Sequence, residues 1–87
     1  MFYFVYILEN EKNEIYIGYT ANLNKRLKEH NQKQNFSTKY KGPWHLIYYE
    51  ACISQKDAER REVYLKTSQG SRLLKLRLRE YLNRKIS

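Results

Sequence analysis

Cysteine is almost missing from this chain. Cys52 stands alone, so no disulfide can form within it, and with two histidines and no Cys/His cluster there is no zinc site to assemble. We read Cys52 as filler and a reducing, cytoplasmic setting as the fitting one. Aspartate is equally scarce: Asp57 is the only one, which leaves little from which to build a two-metal hydrolytic centre. Long apolar runs are absent too. Residues 2–8 are unbroken, but they fall far short of the roughly 20 residues that a helical membrane span needs. No basic segment precedes them, and no lipidation signal or isolated amphipathic anchor accompanies them, so no membrane partner is expected. With three glycines and one proline there is no linker, repeat or low-complexity segment.

What the chain has is aromatic residues and positive charge. Hydrophobic residues make up 41% and aromatics 15%, enough for a compact core, while a mean hydropathy of -0.88 describes a strongly charged surface. At 87 residues the chain is expected to be one domain, residues 1–87, burying roughly 60–65% of its unfolded surface. Seventeen Lys and Arg against nine acids give +8, spread along the chain, which favours a polyanion, and nucleic acid above all, as partner.

Residues 2–8 read as a strand covered on both faces and central in its sheet. The polar stretch 9–14, with Asn10 and Asn13, separates it from Ile15, Tyr16 and Ile17, so the two runs predict an antiparallel hairpin that Gly18 ends. Thr20 is the expected N-cap of a helix over 21–31, with Leu23 and Leu27 as its apolar stripe. At about 100° per residue, His30 falls near the direction of Leu23, with Arg26 beside it. Residues 32–42 read as a polar loop, longer than a tight connection needs, carrying Lys33, Lys39, Tyr40 and Lys41. Pro43 closes it, and residues 44–50 predict a third strand. Ser54 and Asp57 open a second helix reaching to about residue 68, with Ala58 and Leu65 on its inner face and Glu62 between them. Gly70 and Ser71 are expected to break and recap the chain before a third helix, with Leu74, Leu78, Tyr81 and Leu82 inward and Arg72, Lys75, Arg77 and Arg79 elsewhere.

Hydrolysis of a phosphodiester needs an oriented water, neutralisation of the charge that grows on the phosphate, and help for the leaving oxygen. Arg26 offers phosphate a planar fork, and Glu62 can hold one hard cation, Mg²⁺ or Mn²⁺, which commonly takes only one or two carboxylates besides waters and substrate oxygens. A phenol with an ordinary pKa of about 10 is a poor base at neutral pH unless nearby positive charge lowers it. With Arg26 close, Tyr6 is assigned as principal general base, with Tyr16 and His30 positioning or relaying the proton. Lys39, Tyr40, Lys41 and Lys66 are candidate nucleic-acid contacts, Tyr40 by stacking on a base. Each residue also has a plainer reading: ordinary strand aromatics for the tyrosines, a solvated charge for Arg26, a satisfied core-edge histidine for His30. For Glu62 it is a helix ion pair with Lys66, worth roughly 0.2–0.5 kcal/mol. So weak a pair does not explain an acid turned toward Ala58 and Leu65.

Val5-Tyr6-Ile7, Tyr16-Ile17-Gly18, Arg26, His30 and Glu62, in that order over nearly the whole chain, resemble the GIY-YIG nuclease family. Within it, the likeness is greatest to the small stand-alone bacterial proteins related to the N-terminal nuclease domain of the excision-repair excinuclease. The resemblance implies an α/β fold of the α+β kind, a three-stranded antiparallel sheet flanked by about three helices. It also implies one divalent metal on Glu62, and cleavage of DNA with Tyr6, Tyr16, Arg26 and His30 at the site. Val5 departs from the family's glycine, Tyr19 stands where several members carry lysine, and Leu74 sits about where some place an asparagine. The expected activity is a metal-dependent endonuclease acting in DNA repair or recombination, on branched or damaged DNA, with specificity either broad or assigned by a protein partner. The alternatives are a non-catalytic nucleic-acid-binding module of the same fold and, third, a structural interaction protein.

Overall fold

The aromatic and β-branched run near the N-terminus becomes the middle of the sheet. In the computed structural model, which describes residues 1–32 and 41–84, β1 (Tyr3–Glu9) pairs antiparallel with both β2 (Ile15–Thr20) and β3 (His45–Cys52), in the order β2-β1-β3. Val5, Tyr6, Ile7 and Leu8 are all buried, as a central strand covered on both faces requires. Alternation sorts their side chains. Tyr6 and Leu8 join Trp44, Leu23 and Leu27 beneath α1 (Leu23–Asn31), while Val5 and Ile7 join Ala58, Leu65 and Leu74 of α2 (Gln55–Leu65) and α3 (Ser68–Arg77). A bulge shifts the β1–β3 register between Ile7 and Leu8, so Ile47 and Tyr48, neighbours in sequence, both pack on the α2–α3 face. A short α4 (Arg79–Asn83) follows Leu78, making four helices among the described residues where about three were expected. None of them is long and apolar enough to cross a membrane.

Asn10 builds the hairpin turn. Its buried Oδ1 accepts from the backbone N–H of Lys12 and of Glu14, at 3.0 and 2.9 Å, and Asn13 takes the left-handed conformation (φ 64°) that asparagine tolerates.

Several boundaries differ from expectation, each for a physical reason. Gly18 does not end β2, which continues to Thr20. Thr20 stays paired with Phe4, so Asn22 caps α1 instead, accepting from Lys25 N–H at 3.1 Å. β3 begins at His45 rather than Trp44, because the Trp44 backbone is taken at both ends by the Asn31 amide. It also runs on to Cys52, where Tyr3 pairs with it. Ser54 caps α2 as expected, but that helix ends at Leu65, and Thr67 caps α3 by accepting from Gly70 N–H at 3.1 Å. Gly70 therefore lies inside α3, not before it. A Cβ there would stand 1.9 Å from the Tyr64 carbonyl oxygen, so glycine is what lets the start of α3 press onto the end of α2.

Candidate active site

Strand register brings the two phenols together. Tyr6 lies opposite Gly18 and Leu8 opposite Tyr16, which puts both tyrosines on the α1 face, with ring centroids 6.2 Å apart. The Tyr6 ring fills the space over Gly18: a Cβ there would come within 2.6 Å of Tyr6 Oη and 3.0 Å of Tyr16 Cε1. Gly18 thus serves the site by what it lacks.

α1 delivers the histidine. Leu23 and Leu27 seat the helix on the sheet, and one turn further His30 is fully buried, with Nε2 2.9 Å from Tyr6 Oη and its ring 4.7 Å from that of Tyr16, edge to face. The next residue anchors the helix end, since Asn31 Oδ1 accepts from Trp44 N–H and its Nδ2 donates to Trp44 O. The Trp44 ring then packs edge-on to Tyr16 at 6.3 Å. Asn31 was not singled out in the sequence; its position beside His30 at a helix end was the only signal.

Burial governs the titration of the pair. It raises the Tyr6 phenol well above the usual range, Tyr16 and Glu62 push the same way, and Arg26 opposes them. For His30, burial and then the Arg26 guanidinium lower the pKa from the ordinary 6.5 against the pull of Glu29, so the ring is neutral at physiological pH. Arg26 itself is half-buried and lies 3.7 Å from the Glu29 carboxylate.

Glu62 comes from α2. Its side chain is only 19% exposed, and its charge acts on the Tyr6 phenol, so acid and phenol share one electrostatic field. The plainer ion pair forms as well: Lys66 Nζ donates to Glu62 Oε2 at 3.3 Å. Among the described residues no three of His, Cys, Asp and Glu gather as a metal cage. A single, mostly covered carboxylate is nonetheless the donor set that fits a Mg²⁺-like ion completed by water and substrate oxygens. Lys41 is exposed, 3.8 Å from Glu14, with its carbonyl accepting from Asn10. Lys39 and Tyr40 lie outside the described residues.

Residues 2–77 match the family model described as the GIY-YIG catalytic domain. This chain belongs to the GIY-YIG family. It is similar to a UPF0213 protein of Staphylococcus aureus, 38% identical over 75 residues that cover 85% of this chain and 92% of that one. A UPF0213 protein of Clostridium perfringens is 36% identical over 74 residues, covering 84% and 80%. The solution structure of a UPF0213 protein from Bacillus halodurans superposes with a TM-score of 0.53 at 31% identity, covering 85% and 82%. The departures from the GIY-YIG pattern have structural uses here. Val5 fills the core beside Ile7, Leu74 packs in the same cluster, and Tyr19 donates its hydroxyl to Glu59 at 2.8 Å, tying β2 to α2.

Proposed function

We propose that this protein is a metal-dependent endonuclease hydrolysing phosphodiester bonds in DNA. One observation carries the reading: the Tyr6 hydroxyl meets the ring nitrogen of a buried, neutral His30, with Tyr16 packed against both and the charges of Arg26 and Glu62 acting on the same phenol. A phenol with a raised pKa cannot serve as a standing phenolate base. It can pass a proton on. With the imidazole proton on Nδ1, Tyr6 donates to Nε2, and as it takes a proton from the attacking water it gives its own to His30. The water oxygen bonds to phosphorus, the bond to the leaving oxygen breaks, and that oxygen takes up a proton from solvent. Tyr16, half-buried and against both partners, orients the water. Arg26 forks onto the phosphate as negative charge grows there. Glu62 would hold one Mg²⁺ or Mn²⁺, whose contribution when bound is to neutralise phosphate charge and favour ionisation of the attacking water.

The test is nicking of labelled DNA with Mg²⁺ or Mn²⁺. Glu62→Ala is expected to abolish cutting and leave binding in place. The raised phenol favours one rival, a binding module of the same fold: salt-dependent binding without cleavage of duplex, flap or branched DNA would assign it.

A further inference from the structure

The geometry points to Lys66 as an exchangeable cation: in the metal-free protein it neutralises Glu62, and when a divalent ion takes the carboxylate, the freed ammonium binds a phosphate of the substrate in the cavity beside Tyr16. This inference rests on the function proposed above. Three observations carry it.

Glu62 is the more covered partner, 19% exposed against 53% for Lys66, so the carboxylate needs a counter-charge while the ammonium keeps most of its water. Their bond is a helix i,i+4 contact of 3.3 Å, a kind that salt and water readily loosen, so a divalent ion can displace it. Lys66 also lines a cavity of about 400 Å³ with Ile15, Tyr16, Ile17, Leu65 and Ser71. That cavity runs along the outer edge of β2. Released from Glu62, the ammonium therefore already stands in a space walled by one of the two site tyrosines, and no backbone movement is needed to present it to a phosphate there.

Such an arrangement couples the two ligands. The ion frees the lysine for phosphate, and the phosphate keeps the lysine off the carboxylate, so each ligand raises the affinity for the other by the same factor. A lysine serving only the helix surface would add nothing to the coupling that the ion makes directly with substrate oxygens.

The experiment measures Mn²⁺ binding by calorimetry, then binding of a labelled oligonucleotide with and without Ca²⁺, a divalent ion chosen to occupy the carboxylate with little turnover. Wild type is compared with Lys66→Gln, with Lys66→Arg, and with Lys56→Gln, an exposed cation on the same helix. In Lys66→Gln, Mn²⁺ is expected to bind the free protein about twofold tighter, as loss of a weak competing pair implies. With Ca²⁺ present, oligonucleotide should bind more weakly, with the salt dependence reduced by about one phosphate contact. The gain in oligonucleotide affinity on adding the ion should also fall, leaving only what the ion itself contributes through substrate oxygens. Lys66→Arg should keep the coupling, and Lys56→Gln should leave every quantity unchanged.

If Lys66→Gln alters neither Mn²⁺ affinity nor the coupling while wild type binds the ion, or if Lys56→Gln does the same as Lys66→Gln, the exchange is wrong and the proposed endonuclease stands. If wild type binds no ion, or Glu62→Gln binds it as well as wild type, the metal assignment and the exchange fall together.

Discussion

Gly18 shows how one absent side chain holds a site together. Tyr6 lies over it and is itself 2% exposed, so a new methyl group placed 2.6 Å from its oxygen would force the phenol out of its place. Gly18→Ala should cost about 1–3 kcal/mol in chemical denaturation, the usual range for overpacking. It should reduce cleavage more than stability, because relief comes only by moving Tyr6 off His30. A second prediction concerns proton transfer. His30 must be neutral to accept, and its pKa lies below 6.5, so the acid limb of kcat/KM should fall below the ordinary histidine range. Tyr6→Phe, which leaves the ring in place, should lower kcat about 100-fold or more. At this scale the sequence was readable in part. Tyr6, Tyr16, Arg26, His30 and Glu62 are polar or aromatic residues at positions where strand and helix periodicity turns them inward. Asn31 and Glu50 were not: each owes its place to a partner distant along the chain, Trp44 for one and Arg61 for the other.

Among the elements, the joint between α2 and α3 leaves no room for a side chain at Gly70. Gly70→Ala would drive a methyl group into the Tyr64 carbonyl, which is backbone and cannot rotate aside. Thermal unfolding should show it: a loss of about 2 kcal/mol would lower Tm by roughly 8–16 °C. The periodicity of residues 54–65 and the Ser54 cap were visible in sequence because they are local signals. Gly70 was misread as a break for the same reason. A glycine inside a helix looks like punctuation until the neighbouring helix that demands it is known.

For the molecule as a whole, acid should be the weak side. His30 titrates below 6.5 when folded, so as pH falls from about 6.5 the unfolded chain takes up that proton first and stability declines. Glu50 adds to this further down. Burial pushes its carboxyl up, but hydrogen bonds from Arg61 and Tyr48, with the charge of Arg61 and Arg77, pull it below 4.5 overall. Its contribution is present above that value and is lost as pH falls through the folded pKa. Urea titrations between pH 7 and 4 should therefore show a steady fall in midpoint, and His30→Gln should flatten the upper part of it. Composition and pattern alone settled the positive charge, the central strand and the hairpin, since these follow from residue type and from a period of two along the chain. Only the tertiary structure decided that His30 bonds to Tyr6, that Gly18 makes room for it and that Arg61 holds Glu50. Those are distances between side chains on different elements, and no spacing along a polymer states them.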